Sequence, residues 1–318
     1  MDFICSSANS AMNRYRIPKP LQPGDCIGII APAGQIQDTT TLQQGISILK
    51  DMGFEVKVPR NLWPGTGYLA DTDTNRAIEF HKMWADPDIS ALLALRGGFG
   101  SLRLLPFLNP DDIKKEQKLL IGFSDITILH CALHQTNNLI SLHGPVLTNL
   151  SSINSDSRQR FYASLTGNWD KSLKFNQVEV LRDGPPVHGK LIGGNLCSLM
   201  SIVSTPIDQN WKGNILFLED VGEPLYKLDR MFTQLWHCGK INQPAGIILG
   251  DFSLNDGQDS LERIRFHEEI WKRVLELTES GGMPVWGNFP IGHGRDNMTL
   301  PHGADALMDS AKATLSFK

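Results

Sequence analysis

Apolar and polar positions along this chain follow two alternating periods, which predict strands and helices in turn. Continuous apolar runs at 26–32, 91–95 and 119–122 have the length of strands buried on both faces. Between them, residues 39–52 and 73–85 place apolar side chains at helical spacing. Strands that alternate with helices predict a doubly wound parallel sheet with helices on both of its faces.

The pattern changes near the middle of the chain and predicts two domains. We expect an N-terminal arm at 1–20 and a doubly wound parallel-sheet domain at 21–150. Residues 151–183 are polar and irregular, which is typical of a connecting region with a short helix. From 184 to 318 strands and helices return, and we expect a C-terminal α/β domain with mixed or barrel-like strands.

The carboxyl ends of the first-domain strands are predicted to lie on one edge, where such sheets bind ligands. The most informative of these ends is at residues 119–130, Leu-Leu-Ile-Gly-Phe-Ser-Asp-Ile-Thr-Ile-Leu-His, where a strand meets a helix at Ser124. A serine raised on such a turn, beside the free N–H groups of a helix start, has the geometry of a nucleophile elbow. The alternative is an ordinary N-cap, since the second glycine of the G-x-S-x-G pattern is missing.

A glycine-rich turn at 96–100, Arg-Gly-Gly-Phe-Gly, follows the preceding strand. It lacks the spacing of a phosphate loop, and we predict no cofactor. Its glycines permit close approach of a backbone N–H to a ligand, so the turn is a candidate second oxyanion donor beside the N–H of Asp125. The alternative is a simple tight turn.

Nine histidines are candidates for the general base that a serine nucleophile needs. His130 and His134 share a helix face, but no third ligand is evident, so a structural role is favoured over a metal site. His143 ends a predicted strand at the candidate edge. His293 lies between two glycines in a loop with little structural need for a histidine. His302, beside a proline, is a weaker candidate.

A carboxylate that orients the base is predicted at the end of the strand 215–220, which finishes on two carboxylates. Glu219 is the first candidate, and Asp220 or Glu223 would serve equally well on sequence grounds. A solvated carboxylate at a strand end is the structural alternative.

Composition narrows the class of protein. The 318 residues are 41% hydrophobic and 20% charged with a net charge of −4, so neither nucleic acid nor a membrane is an expected partner. The five cysteines are scattered without a C-x-x-C pair, which is typical of a reducing compartment and argues against a zinc site. Residues 1–20 lack the apolar segment of a secretory signal, and we therefore expect a cytoplasmic protein.

Taken together, these motifs resemble the LD-carboxypeptidase family of serine peptidases, which includes muramoyltetrapeptide carboxypeptidases and microcin-immunity peptidases. These motifs occur in the same order as in the family, and together they cover nearly the whole chain after residue 20. The residues that carry the resemblance are 24–25, 29–34, 96–100, 122–127, 143–145, 193–196, 218–220, 229–230, 250–252, 292–294 and 300–303.

The resemblance implies a triad of Ser124, His293 and Glu219. With this triad, our hypothesis is that the N–H groups of Gly98 and Asp125 hold the oxyanion. It also implies the substrate, the L,D-bond to terminal D-Ala in a cell-wall tetrapeptide, and hence a role in peptidoglycan recycling. A homodimer is a further expectation from the family.

Three other hypotheses remain open on the sequence. The first is a peptidase that inactivates a peptide–nucleotide toxin, with Trp169 or Trp211 stacking on the base. The second is a non-catalytic ligand-binding protein in which Ser124 only caps a helix. The third is a metallohydrolase that uses His130 and His134.

Overall fold

The computed structural model describes residues 15–60, 62, 65–170, 173–174, 177–254 and 260–318. Most of the expected N-terminal arm, residues 1–14, lies outside the described residues. The strands are β1 (Cys26–Ile30), β2 (Glu55–Lys57), β3 (Ile89–Ala94), β4 (Leu119–Gly122), β5 (Ser141–His143), β6 (Leu173–Lys174), β7 (Glu179–Arg182), β8 (Val187–Asn195), β9 (Ile215–Val221), β10 (Gly246–Ser253), β11 (Val285–Gly287), β12 (Leu300–His302), β13 (Asp305–Asp309) and β14 (Thr314–Phe317).

Most of the helices between these strands fall within one or two residues of the positions that the apolar spacing predicts. The connecting-region helix, predicted near 158–165, begins three residues earlier, at 155. A short helix at 110–115 is an addition, because one and a half turns are too few to give a periodic pattern. The helices are α1 (Thr39–Asp51), α2 (Asp73–Ala85), α3 (Ser101–Leu104), α4 (Pro110–Lys115), α5 (Thr127–Asn137), α6 (Ser155–Leu165), α7 (Leu196–Ile202), α8 (Leu225–His237) and α9 (Ser260–Leu277).

The first sheet has the order β12-β5-β4-β3-β1-β2. The five strands from β1 to β5 are parallel, as the alternation of strands and helices predicts. β2 and β3 lie on opposite sides of β1, so the chain reverses its winding direction between β1 and β3. The carboxyl ends of those two strands therefore open a crevice, the usual ligand position in such sheets.

The second sheet has the order β6-β14-β13-β8-β9-β10-β11-β7 and is mixed. Its central strands β8 to β11 are parallel, whereas the outer strands run antiparallel. The predicted α/β fold, with a parallel sheet followed by a mixed one, is confirmed. None of the described helices combines the length and the apolar character needed to cross a membrane.

The first sheet contains a strand from the C-terminal half of the chain, which the sequence pattern did not indicate. β12 lies late in the chain but pairs antiparallel with β5 and so completes the first sheet. Three residues are too short a run to give a strand pattern, and their place depends on a distant partner. The connecting region holds α6, β6 and β7. The exact division of the chain into domains stays a prediction.

Helix α5, which follows the serine turn, belongs to the cores on both sides. Leu129 and Leu133 pack with the first sheet, whereas Ile128 and Cys131 pack with α7 and β9 of the second unit. All four side chains are almost fully buried. Because one rigid helix is fixed by two cores, the turn at its start has a defined position relative to both sheets.

A close backbone approach completes this junction at the end of β8. The N–H of Asn195 donates to the hydroxyl oxygen of Thr127 at 3.0 Å. A β-carbon built on Gly194 would overlap that hydroxyl oxygen and would lie 2.7 Å from the Thr127 methyl carbon. Gly194 also has a φ of +137°, which side chains rarely adopt. The junction therefore requires glycine at this position.

We expect Gly194→Ala to destabilise the protein by about 2–5 kcal/mol, because it adds a steric clash to backbone strain. Gly239 is the matched control, since it also has positive φ (+71°) but has no atom within 4 Å of a built β-carbon. Gly239→Ala should cost only about 1–2 kcal/mol. Urea unfolding of both variants measures the difference, and equal losses would contradict the tight junction.

Candidate active site

Ser124 lies at the tip of a sharp turn between β4 and α5. Its φ is +63°, and the segment Ser124–Ile126 forms one turn of 3₁₀ helix before α5 begins, where the sequence predicted a helix directly. A non-glycine residue in this conformation costs about 1–3 kcal/mol, and such strain is concentrated at functional sites. The N-cap position belongs to Phe123, which is extended and makes no side-chain cap. Capping therefore does not explain this serine.

The glycine-rich turn after β3 lies directly against the serine. A β-carbon built on Gly97 would lie 2.8 Å from Ser124 Cβ and 2.9 Å from its Oγ. The same point lies 3.5 Å from the backbone nitrogen of Asp125. Gly98 follows with a φ of +112° and lines the cleft beside Ser124. The roles of Gly98 and Asp125 as oxyanion donors stay predictions.

The side chain of Asp125 has a structural role that the sequence did not reveal. Its carboxylate accepts a hydrogen bond at 2.8 Å from the backbone N–H of Ser101, the first residue of α3. Burial raises the pKa of Asp125, and the hydrogen bond from Ser101 opposes that rise. This contact fixes the glycine-rich turn against the serine turn.

His293 and Glu219 form a hydrogen-bonded pair at the edge of the second sheet. The Nδ1 atom of His293 lies 2.8 Å from Oε2 of Glu219, whose side chain is fully buried at the end of β9. Burial opposes the charged imidazole, but the negative charges of Glu219, Asp220 and Asp251 prevail and raise the pKa of His293. A carboxylate at Nδ1 favours the tautomer whose Nε2 is free to accept a proton.

The other two candidate carboxylates contact different groups. Asp220 accepts hydrogen bonds from the N–H of Cys197 at 2.8 Å and the side-chain amide of Asn195 at 3.3 Å. Burial, together with the charge of Glu219, raises the pKa of Asp220 to about 7. Glu223 lies 3.3 Å from the ammonium group of Lys227. The structure therefore brings Glu219, of the three carboxylates, into contact with His293.

Ser124 and His293 face the same cleft, which has two compartments. The first cavity has a volume of about 490 Å³ and extends over Thr148 and Asn149. The second has a volume of about 400 Å³ and extends toward Asp220 and α7. Both cavities are lined by Ser124 and by the imidazole of His293, which Glu219 contacts from the second sheet, so the structure brings the serine and the His293–Glu219 pair to one cleft. A nucleophile with room on both sides suits a substrate that extends in both directions.

The remaining candidate histidines are buried beneath the site. In His130, Nε2 donates to the carbonyl oxygen of Gly122 at 2.8 Å, and Nδ1 accepts from Ser141 at 2.7 Å. Both ring nitrogens are thus engaged in holding the strand end before Ser124. His143 and His302 are fully buried nearby, and the ring centroids of His130 and His302 are 5.7 Å apart.

A metal centre is not supported by this cluster. Within the ranges that the structure describes, no group of three or more His, Cys, Asp or Glu side chains is arranged to hold a metal ion. The geometry therefore does not favour a metallohydrolase built on His130 and His134.

The aromatic residues proposed for nucleotide stacking are elsewhere. Trp211 is 2% exposed in the core of the second unit, with the Lys240 ammonium 4.7 Å from its ring centroid. Trp169 packs against the core of the second sheet and lines neither cavity. The exposed aromatic residue of the second cavity is Phe99, whose ring centroid is 6.0 Å from that of Tyr68. The sequence could not distinguish these aromatics, because exposure depends on tertiary packing.

Two family models match this chain in order. The LD-carboxypeptidase N-terminal domain matches residues 27–144, and the LD-carboxypeptidase C-terminal domain matches residues 188–308. The chain therefore belongs to the LD-carboxypeptidase family of serine peptidases, and the resemblance found in the sequence is confirmed.

Individual relatives are similar over nearly their whole length. A putative carboxypeptidase of Synechocystis is 35% identical over 97% of this chain and 99% of its own. The murein tetrapeptide carboxypeptidase of Pseudomonas aeruginosa is 33% identical over 89% of this chain and 92% of its own. The microcin C7 self-immunity protein of Escherichia coli is 27% identical over 93% of this chain and 94% of its own.

Solved structures share the architecture. The muramoyltetrapeptide carboxypeptidase of Oxalobacter formigenes superimposes with a TM-score of 0.76 at 30% identity, covering 92% of this chain and 97% of its own. A microcin immunity protein in complex with glutamyl sulfamoyl guanosine gives a TM-score of 0.84 at 24% identity, covering 95% and 98%. The second likeness is one of fold.

The buried histidines make stability depend on pH. Burial lowers the pKa of His134 to about 4 from its usual 6.5, and the Lys190 charge adds to this effect. Such a histidine is neutral in the folded protein and protonated in the unfolded chain, so the free energy of unfolding decreases as pH falls from 6.5 toward 4. The loss is up to about 1.4 kcal/mol per pH unit for each such group.

We expect the free energy of unfolding of His134→Gln to fall less steeply with decreasing pH, by up to the contribution of one such histidine. His237 is exposed on α8, so His237→Gln is the control and should leave the slope unchanged. Urea unfolding at intervals from pH 7.5 to 4.5 measures both. The same slope in both variants and the wild type would contradict a neutral, buried His134.

Proposed function

We propose that this enzyme hydrolyses the L,D-peptide bond of a murein tetrapeptide and releases terminal D-Ala, using Ser124, His293 and Glu219. The observation that carries the proposal is the hydrogen-bonded His293–Glu219 pair on the same cleft as the strained serine. A murein tetrapeptide carboxypeptidase at 33% identity supports the choice of substrate.

In the first half of the reaction, Nε2 of His293 takes the proton of the Ser124 hydroxyl. The serine oxygen attacks the carbonyl carbon, and the N–H groups of Asp125 and Gly98 stabilise the oxyanion. The imidazolium then protonates the leaving nitrogen of D-Ala, and the C–N bond breaks. An ester between the serine and the remaining tripeptide is left.

In the second half, water replaces D-Ala in the cleft. His293 takes a proton from the water molecule, whose oxygen attacks the ester carbonyl, and the proton returns to the Ser124 oxygen as the bond breaks. Glu219 stabilises the imidazolium in both halves. A raised pKa of His293 fits this role, because it makes the imidazole a stronger base.

The broader setting stays a prediction from the family. We expect a homodimer in the cytoplasm that acts in peptidoglycan recycling.

A second candidate substrate is a peptide linked to a nucleotide. Phe99 favours it, because this exposed ring lines the second cavity and offers a surface for stacking on a base. The E. coli immunity protein at 27% identity supports the same alternative. Release of the amino acid from a peptidyl nucleotide, in parallel with D-Ala release from muropeptide, distinguishes the two substrates.

We expect the wild type to release D-Ala from a muropeptide tetrapeptide in the presence of a chelator. Ser124→Ala should lower kcat/KM by about 10⁴-fold or more, because the nucleophile is lost. Ser204→Ala is the matched control, since Ser204 also has positive φ (+65°) but lies outside both cavities.

Retained turnover in Ser124→Ala, with correct folding, would overturn the assignment of the nucleophile. Loss of wild-type activity in chelator would favour the metallohydrolase. If the wild type releases no D-Ala, the peptide–nucleotide becomes the favoured substrate. If that compound is not cleaved either, a non-catalytic binding protein becomes the favoured function.

The Glu219→Gln variant tests the base and its orienting carboxylate. Wild-type kcat/KM should fall as pH falls through the pKa of His293, because the protonated imidazole accepts no proton. Removing the carboxylate charge lowers that pKa, so the acidic limb should move to lower pH. The plateau should fall by about 10²–10⁴-fold.

Glu223→Gln is the control for the pH profile. Glu223 was an equal candidate by sequence but contacts Lys227 instead of the imidazole. Its limb should stay in place. If the acidic limb moved in Glu223→Gln and stayed in place in Glu219→Gln, the orienting carboxylate would be Glu223, and the assignment of Glu219 would be wrong.

A further inference from the structure

Arg96 is a half-buried cation beside the nucleophile, and the proposed hydrolysis steps give it no role. It follows β3, at the crevice where the sheet reverses its winding. Its side chain lines both cavities, together with Ser124 and His293. Among the described residues that line the two cavities, there is no other lysine or arginine. A single cation thus lies at the point where the two halves of a substrate would meet.

The guanidinium of Arg96 has spare hydrogen-bonding capacity. Its Nη1 donates to the carbonyl oxygen of Gln35 at 3.0 Å. Across the part of the chain that the structure describes, no carboxylate lies within 4.0 Å of it. Burial lowers the pKa of Arg96, and no neighbouring negative charge opposes that effect. A half-buried guanidinium that faces no carboxylate has N–H donors left for an anion, and a bound anion would offset the cost of its partial desolvation.

The position of this side chain is fixed by the backbone beneath it. A β-carbon built on Gly34 would lie 3.4 Å from Arg96 Nε and 3.0 Å from the carbonyl oxygen of Gly97. The N–H of Gly34 donates to that same carbonyl at 3.2 Å. The turns after β1 and β3 therefore hold each other, and the guanidinium lies over a glycine. Such a preorganised donor loses little entropy when it binds a ligand.

The charges of the two cavities differ, and the difference decides where an anion would lie. The second cavity is lined by the carboxyl groups of Asp125, Asp220 and Glu223, which disfavour a further negative charge. The first cavity has one carboxylate in its lining, Asp38, which is exposed and accepts from the N–H of Thr40 at the start of α1. Its other lining residues include the uncharged Thr148 and Asn149. Asn149 uses its side-chain oxygen to accept from the N–H of Val146, which directs that oxygen away from a ligand.

We infer that Arg96 binds the free α-carboxylate of the substrate's C-terminal residue, which occupies the first cavity. The inference rests on the proposed function, since a carboxypeptidase must distinguish a chain end from an internal residue. A planar guanidinium matches a carboxylate with two parallel hydrogen bonds. The leaving D-Ala then lies over Thr148 and Asn149, and the rest of the peptide extends into the second cavity. Arg96 is thus the residue that makes the enzyme specific for chain ends.

The test compares two substrates that differ in one group. They are L-Ala–γ-D-Glu–meso-diaminopimelyl–D-Ala and the same peptide ending in D-alaninamide. Wild type should prefer the free acid by about 100-fold or more in kcat/KM, because the amide cannot pair with the cation. Arg96→Gln should lose about the same factor on the acid, mainly through KM, and little on the amide. Arg96→Lys should retain part of the preference, because lysine keeps the positive charge but lacks the planar pair of N–H donors.

Arg103→Gln is the matched control. Arg103 lies on α3 close to the same turn, but it is exposed, pairs with Asp73 and lines neither cavity. It should keep the full preference for the free acid. Equal loss on both substrates in Arg96→Gln, or an unchanged preference, would overturn the inference while leaving the hydrolase itself intact.

A binding measurement separates this inference from the proposed function. In a Ser124→Ala background, calorimetry should show that the acid binds about 100-fold more tightly than the amide, and that Arg96→Gln removes the difference. Failure of the wild type to release D-Ala refutes the function. Equal binding of acid and amide to the Ser124→Ala protein refutes the role of Arg96, whether or not turnover is observed.

Discussion

The hydrogen bond from the backbone of Asn195 to the hydroxyl of Thr127 is the constraint on which the candidate site depends. Thr127 lies three residues after Ser124. Asn195 ends β8 and pairs in the parallel register with Glu219 on β9, and Glu219 holds His293. The proposed nucleophile follows a strand of the first sheet, whereas the proposed base contacts a carboxylate on a strand of the second, so this short chain of contacts sets their relative position. The glycine before Asn195 lets the two backbones approach closely enough for the contact to form.

Several polar groups around this junction are buried at a cost in folding free energy, and they lie at the candidate site. Glu219 is fully buried, and one of its oxygens has no hydrogen-bond partner among the described residues. Burial raises the pKa of Asp220 next to it, and the negative charge of Glu219 adds to that rise. A protein selected for stability alone would place apolar residues here. The arrangement makes sense if an imidazolium forms transiently beside Glu219, because its positive charge then compensates the buried carboxylate.

The sequence predicted the elements better than their contacts. Helical spacing located α2 to the residue, and the strand ends that carry Ser124 and Glu219 were predicted from apolar runs. Local pattern is informative there, because burial on both faces leaves a continuous run. Local pattern could not show that β12 joins the first sheet, because that pairing joins residues about 160 positions apart in the chain.

The site shows the same division between local pattern and tertiary contact. A serine between a strand and a helix, and a histidine between two glycines, stand out in a sequence. The hydrogen bond by which His130 supports the strand end before Ser124 could not be predicted from the sequence. Sequence alone does not distinguish a buried structural histidine from a catalytic one. Glu219 could be separated from Asp220 and Glu223 only by seeing which carboxylate the imidazole reaches.

The position of Arg96 follows from fold topology as much as from chemistry. A doubly wound sheet opens a crevice where its winding reverses, between β1 and β3. Arg96 is the cation at that crevice, and Ser124 follows the next strand, so the fold brings a charge and a nucleophile to adjacent strand ends. The carboxylate that contacts His293 comes from β9 of the second sheet, and His293 lines the same two cavities as Arg96 and Ser124. Under the proposed function, the first sheet therefore supplies recognition and the nucleophile, and the second sheet positions the base.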